Sequence, residues 1–278
     1  MSMLDHIQIN SESLKIIYFF CLLYGLINYD LCIASQVGHP RLERVVISNM
    51  KRLKKVWHSQ FQGLKTMEVN NCERLENIFP HDIYTSFGKM ETLKVSDCSS
   101  VREIFQLPAN EINSEEGTQL KKLHLLWLPQ LKQIWSKDPQ RNGRFHNLQD
   151  VHVEVCENLE YLFPFSIAMD LPQLEILKVN YCGMNEIVGK KEGPMEEKAI
   201  FHFARLYRLE IWNMFQLDRF YDGSHSLTCP SLRVLWPYNC AKLELLGSKS
   251  SSSNRRKNDD DQNEYISMPK PLFIIEEV

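Results

Sequence analysis

Apolar residues recur along this chain with a spacing that neither a helix nor a simple alternating strand explains. In Leu64–Pro80, LKTMEVNNCERLENIFP, they fall at offsets 0, 3, 5, 11, 14 and 15 from the first Leu, and Cys72 stands at offset 8. Offsets 3 and 5 lie on one face of a strand because side chains alternate with a period of two. The later offsets predict an inward turn and a return segment, so this stretch predicts one coil of a larger array.

The same spacing returns seven more times. Met90–Phe105 and Leu148–Pro164 repeat it without a gap, each with Cys at offset 8. The weaker copies begin at Leu42, Leu120, Leu174, Leu206 and Leu232. Starts lie 22 to 32 residues apart, which is the range of leucine-rich repeats. A single coil cannot bury its own apolar face, so coils must stack. Residues 39–246 are therefore predicted to form about eight coils of an α/β solenoid, a leucine-rich-repeat horseshoe with a parallel concave sheet and a mostly irregular or short helical convex side.

The ends of the chain depart from this spacing. Residues 1–38 are an atypical apolar lead-in, whose twelve-residue run Ile16–Ile27 is shorter than the about 20 residues that a membrane span needs. Asp5 and Glu12 precede this run, which favours a buried lead-in over a signal peptide or anchor.

The segment after the last coil changes composition. Residues 247–265 contain almost no apolar side chains and are predicted to be a disordered polar insertion. Residues 266–278 become apolar again, and we expect them to begin a truncated further repeat.

Cysteine recurs at a single position of the coil. Five of the eight cysteines stand at offset 8: Cys72, Cys98, Cys156, Cys182 and Cys240. A recurring inward Cys acts as a small apolar residue. The chain has no C-x-x-C pair and no N-glycosylation sequon. We therefore expect reduced thiols and a cytoplasmic protein.

Charge and motifs give no indication of catalysis. A net charge of −3 provides no general basic field for nucleic acid or an anionic membrane, so neither is expected as a partner. Gly183, Gly189 and Lys190 lack the spacing and the following Ser or Thr of a phosphate loop. His124 and His152 share offset 4 but are expected to be a solvated pair. No catalytic, cofactor or metal residues are predicted, and we do not expect an enzyme.

The template instead predicts an exposed surface, because offsets 2, 4, 6 and 7 point away from the core. Large aromatic side chains are frequent anchors of protein recognition, and charged neighbours set selectivity. Packing of some of these aromatics on a neighbouring coil is the alternative. The candidate protein-binding residues are Glu68, Lys94, Trp127, His152, Lys178, Tyr181, Glu210, Trp212, Trp236 and Tyr238.

Several stretches resemble one plant family. FQGLKTMEVNNCERLENIFP, LKQIW, LEYLFP and PLFIIEEV are similar to the cytoplasmic leucine-rich repeats of plant nucleotide-binding, leucine-rich-repeat disease-resistance proteins with an N-terminal coiled coil. The resemblance implies a plant-defence role in which the repeats sense a pathogen effector or a guarded host protein. It also implies a nucleotide-binding domain of a related protein as a partner. Because this chain has no phosphate loop, we expect the sensing portion without the nucleotide-binding switch.

Two other kinds of protein are compatible with the repeats. A substrate-binding adaptor of a ubiquitin ligase would need an N-terminal helical docking motif, which residues 1–38 do not show convincingly. A secreted or membrane-anchored repeat protein would need Ile16–Ile27 to act as a signal, together with capping cysteines and glycosylation sites. The location of a C-terminally tagged chain in the cell distinguishes this second alternative from a cytoplasmic protein.

Overall fold

A computed structural model describes residues 16–20, 43–56, 63–79, 88–106, 118–136, 138, 145–191, 198–243, 246–248 and 273–275. In chain order the strands are β1 (Ile16–Phe20), β2 (Arg44–Ser48), β3 (Thr66–Asn70), β4 (Asn77–Phe79), β5 (Thr92–Ser96), β6 (Glu103–Phe105), β7 (Lys122–Leu126), β8 (Gln133–Trp135), β9 (Asp150–Cys156), β10 (Tyr161–Phe163), β11 (Ile176–Cys182), β12 (Glu186–Val188), β13 (Ala199–His202), β14 (Arg208–Trp212), β15 (Arg219–Tyr221), β16 (His225–Thr228), β17 (Val234–Tyr238), β18 (Leu246–Ser248) and β19 (Phe273–Ile275). Helix α1 (Phe165–Ala168) lies between β10 and β11.

The main sheet confirms the predicted solenoid. Within the described residues its nine parallel strands follow the order β1-β2-β3-β5-β7-β9-β11-β14-β17, so each of the eight coils contributes one strand. The inward offsets are buried as expected, with Met67 and Val69 at 0% and 1% exposure. Coil eight is less covered, because its Leu235 is only partly buried. β17 contains Pro237 and is the last strand of this sheet, where a residue without an N–H is tolerated.

The return side is built from short strands where irregular or short helical segments were expected. β4-β6-β8 form one three-stranded sheet, β10-β12-β15 form another, and β13 pairs with β16. The residues at offsets 14 and 15, such as Ile78 and Phe79, are apolar β-formers that pair from coil to coil. α1, which is four residues long, is the one helix in the described part of the chain.

The lead-in and the C-terminal segments are described only in part. β1 belongs to residues 1–38 and pairs in parallel with β2, so this segment contributes a strand to the main sheet. β19 lies inside residues 266–278 and pairs in parallel with β18. Apart from Gly247 and Ser248, the expected polar insertion at 247–265 lies outside the described residues.

A ladder of aromatic rings fills the core behind the return strands. Phe79 stacks on Phe105 with 5.4 Å between ring centroids, Phe105 lies 6.0 Å from Trp135, and Trp135 lies 5.8 Å from Phe163. Phe145 packs 5.4 Å from both Phe105 and Trp135. This ladder ties coils two to five together through their interiors.

The two three-stranded return sheets are separated between β8 and β10. In neighbouring coils the residue after the return strand donates to the preceding coil, as Ser136 N does to Phe105 O at 3.0 Å and Gly189 N to Phe163 O at 2.9 Å. The equivalent residue after β10 is Pro164, which has no N–H to donate. Between coils four and five the return side therefore keeps the bond from Glu160 N to Lys132 O at 3.0 Å but lacks the bond that its neighbours make after the strand.

Among the described residues, each coil has one non-glycine residue in the left-handed backbone region, at offset 7. We call these eight residues the edge row: Asn49, Asn71, Asp97, Trp127, Val155, Tyr181, Asn213 and Asn239, with φ between 50° and 60°. Asn and Asp tolerate this region better than other side chains that carry a Cβ. Five of the eight are Asn or Asp, and Asn amides link coils, as Asn71 Nδ2 does by donating to Asn49 Oδ1 at 2.7 Å.

The cysteines at offset 8 lie inside this turn. Cys72, Cys98, Cys156 and Cys182 are buried and unpaired. Each thiol donates to the carbonyl two residues earlier, as Cys98 Sγ does to Ser96 O at 3.1 Å. A hydrogen bond with Cys182 and then burial raise the pKa of the Cys156 thiol well above its usual range. The recurring Cys is a small, buried residue of this turn.

Candidate protein-binding surface

The outward residues at offset 4 form one continuous row across the concave face. Strand register places Glu68 beside Lys94, and the row then continues through His124, His152, Lys178 and Glu210 to Trp236. We call this the central row. Six of the ten predicted binding residues belong to it: Glu68, Lys94, His152, Lys178, Glu210 and Trp236. The remaining four are Trp127, Tyr181, Trp212 and Tyr238.

The N-terminal part of the central row is polar and open to solvent. Glu68 Oε1 lies 2.8 Å from Arg44 Nη2 in the neighbouring coil, and both side chains are partly exposed. Such a pair contributes little to stability. Lys94 is exposed and has no ion pair within the described residues. This part of the surface offers charge but no large apolar contact.

Two histidines occupy the middle of the row, each next to a carboxylate. The His124 and His152 rings meet edge to face with 5.7 Å between centroids. His124 Nε2 lies 3.2 Å from Asp150 Oδ2, and His152 Nε2 lies 3.2 Å from Glu154 Oε2. The pair was expected to be solvated, but both side chains are about three-quarters buried.

The buried setting of His152 predicts a pH dependence of stability. Burial lowers the pKa of His152 below 6.5 against the opposing charge of Glu154, and nearby His124 and Lys178 act in the same direction as burial. The unfolded chain therefore binds this proton more readily than the folded chain does. The stability gained by neutral His152 is fully present above pH 6.5 and is lost as the pH falls through the lower, folded-state value.

We expect urea denaturation midpoints to fall between pH 7 and pH 5.5, and the fall to be smaller in His152→Gln. The measurement is made in one buffer series at constant ionic strength, with pH 8 as a reference above the titration. An equal decline in the variant would show that other groups cause it. Asp150, whose pKa is lowered by His124 despite the opposing effect of burial, contributes only in more acidic solution.

The C-terminal end of the row combines a buried carboxylate with exposed aromatics. Glu210 is 3% exposed, and its oxygens lie 3.0 Å from Arg208 Nη1 and 3.4 Å from Lys178 Nζ. Trp236 is its register neighbour in the next coil and is 57% exposed. The Trp212 and Trp236 rings meet edge to face with 5.9 Å between centroids.

The remaining aromatic candidates divide between two places. Tyr238 is 63% exposed and lies two residues after Trp236 on the same face of β17. Trp127 and Tyr181 belong instead to the edge row, beside the concave face. The sequence-based candidates omitted Val155 in the same row and exposed Phe215, whose ring lies 5.8 Å from that of Tyr181. The run of Asn and Asp at offset 7 was the signal that could have separated this row from the strand face.

The described residues were also compared with the requirements of a metal site and a membrane span. They contain no group of three or more His, Cys, Asp or Glu side chains placed to hold a metal ion. A small gap between coils six and eight is lined by apolar side chains, including Leu177, Ile211 and Phe220. No helix in the described part of the chain has the length and apolar content to cross a bilayer.

Comparison with known proteins agrees with this architecture. Residues 27–93 and 58–183 match the leucine-rich repeats described as plant disease resistance protein RPS2-like. The two matches together cover residues 27–183, which is more than half of the chain. The chain belongs to this family. The repeat spacing and its resemblance to plant disease-resistance proteins are thereby confirmed.

Two proteins of Arabidopsis thaliana are similar to this resistance-protein repeat region. One, a putative disease resistance protein, is 29% identical over 125 residues, covering 44% of this chain and 9% of the relative. The other, a probable disease resistance protein, is 30% identical over 154 residues, covering 43% of this chain and 17% of the relative. The chain thus spans a small part of the length of both relatives.

Proposed function

We propose that this repeat region is a non-enzymatic recognition module of plant defence that acts in the cytoplasm. It senses a pathogen effector or a guarded host protein through its concave surface. The observation that carries this proposal is the C-terminal end of the sheet, where exposed Trp236 and Tyr238 adjoin the buried carboxylate of Glu210. The names of both relatives as disease resistance proteins support the defence role.

The chemistry of this end of the sheet suits a protein partner. Trp and Tyr bury a large area with few rotatable bonds, so ordering them on binding costs little entropy. The indole Nε1 of Trp212 is buried and has no acceptor among the described residues. Lys178 and Arg208 fix the Glu210 carboxylate and give the surface a defined charge pattern.

The double variant Trp236→Ala with Tyr238→Ala tests whether the exposed aromatics of the concave surface bind a protein partner. The tagged chain is expressed in leaf tissue with and without pathogen challenge, and neighbouring proteins are identified by proximity labelling and quantitative mass spectrometry. At least one protein enriched by the wild-type chain should fall about tenfold in the variant, because aromatic anchors dominate such interfaces. Far-UV circular dichroism should be unchanged, since both side chains are exposed.

Ile200→Ala is the matched control, because Ile200 is an exposed apolar residue on β13, away from the concave face. This variant should retain the protein that the double variant loses. Identical protein sets for wild type and double variant would contradict recognition by this surface. Recovery of the tag in the secretory pathway would contradict the cytoplasmic location.

A further inference from the structure

The edge row changes character in three consecutive coils. Coils one to three and seven to eight use Asn or Asp at the left-handed position, whereas coils four, five and six use Trp127, Val155 and Tyr181. Strand register brings these three residues side by side, since Leu126 pairs with Glu154 and Glu154 with Asn180. Phe215 extends the group by its contact with Tyr181. We call these four residues the edge patch.

The backbone does not favour the residues found in the edge patch. A left-handed conformation crowds the Cβ of any side chain, and a β-branched residue such as Val155 is an outlier there. Asn213 in the next coil is better suited to the same turn, and its amide donates to Asn180 Oδ1 at 3.1 Å. Asn239 Nδ2 donates in turn to Asn213 Oδ1 at 3.0 Å. An amide at the three central positions would therefore fit the turn better.

The core does not account for these residues either. Trp127 is 55% exposed and Tyr181 is 44% exposed, so a large part of each side chain reaches solvent and does not fill the solenoid interior. Contiguous exposed apolar side chains on a folded domain mark an interaction site. Strained backbone that persists without a structural gain is characteristic of functional sites.

Charges around the edge patch define the kind of partner. Asp97 precedes Trp127 in the edge row, and Glu154 and Glu157 flank Val155 along the chain. Asp97 and Glu157 are exposed, and no basic side chain of the described residues forms an ion pair with them. The patch is thus an apolar strip with an acidic border. This border disfavours anionic lipid and favours apolar side chains accompanied by Lys or Arg.

We propose that the edge patch is a docking site for a basic amphipathic polypeptide segment of a protein partner. The proposal rests on the recognition function above and adds a second contact region, lateral to the concave face. Apolar side chains of the segment cover Trp127, Val155 and Tyr181, while its basic groups meet Asp97 and Glu157. The strain in the three turns is retained because Asn at these positions would remove the apolar contact.

The test uses a displayed library of random peptides, selected on the wild-type chain and counter-selected on the triple variant Trp127→Asn, Val155→Asn and Tyr181→Asn. Enriched peptides should combine Lys or Arg with aromatic or aliphatic residues. Their affinity, measured by calorimetry, should fall at least about tenfold in the triple variant. The same variant should melt at a higher temperature than wild type, because Asn relieves the backbone strain.

Several outcomes would overturn the proposal. A lower melting temperature of the triple variant would show that the three side chains serve the fold. Acidic or unenriched peptides would contradict the stated partner chemistry, and preferential binding to phosphatidylserine vesicles would identify a lipid surface instead. The concave variant Trp236→Ala with Tyr238→Ala should keep its affinity for the selected peptides. Loss of peptide binding in that variant would place the peptide on the concave face, so the two proposals can fail separately.

Discussion

Replacing Trp135 with Ala is expected to lower the free energy of unfolding by about 3–5 kcal/mol, the range for truncating a buried large aromatic. Trp135 is fully buried and packs against Phe105, Phe145 and Phe163, so its removal leaves a cavity bordered by three neighbouring segments. Phe105 and Phe163 sit on return strands, so they can collapse only partly into the gap. Urea denaturation followed by far-UV circular dichroism measures the change.

The matched control is Trp236→Ala, which removes the same side chain from an exposed position. Its effect on stability should stay within about 0.5 kcal/mol, as for surface substitutions. Similar losses in both variants would show that Trp135 does not anchor the aromatic ladder. Hydrogen exchange adds a spatial test, because Trp135→Ala should reduce protection first in coils three to five, which the ladder joins.

Gly183→Ala is expected to destabilise the chain by about 3 kcal/mol, the upper end of the range for overpacked sites. A Cβ at Gly183 would lie 1.8 Å from the backbone carbonyl oxygen of Glu157 in the preceding coil. No side-chain rotation can relieve this overlap, because the obstructing atom belongs to the main chain. Gly183 N donates to Cys156 O at 3.2 Å, so the two coils cannot separate without losing a hydrogen bond.

Two further variants test whether the close approach at Gly183 causes the loss of stability. Gly88→Ala is the control, since a Cβ there would meet no atom within 4 Å, and it should change stability by at most about 0.5 kcal/mol. Coil six is one residue shorter than the template at this turn, with Cys182 and Met184 on either side of Gly183. Exchanging Gly183 for the Glu-Asn pair of coil five restores the template length and should recover stability. Failure of this exchange, with Gly183→Ala tolerated, would contradict the role of the close approach.

The core positions were predictable from the sequence because the same apolar spacing recurs in every coil. Each inward offset is sampled in several coils, so an unusual residue such as Met67 does not hide the pattern. Burial at offsets 3, 5, 8, 11, 14 and 15 in the central coils confirms that reading. The shortened turn at Met184 was also visible, because its apolar residues arrive early.

The candidate surface was less predictable, since alternation alone does not separate a strand from the turn that follows it. Trp127 and Tyr181 were assigned to the strand face, but their left-handed backbone places them in the edge row. Contacts between coils depend on register and side-chain reach. The approach of Arg208 and Lys178 to Glu210 therefore required coordinates.

The missing N–H of Pro164 has a mechanical consequence. The main sheet runs unbroken through all coils, whereas the return side is divided into two blocks between β8 and β10. With one hydrogen bond fewer on that side, we expect resistance to bending to be lower between coils four and five than between the coils next to them. His124 and His152 lie on opposite sides of this boundary. The affinity of a partner that contacts both blocks would depend on the angle between them as well as on their surfaces.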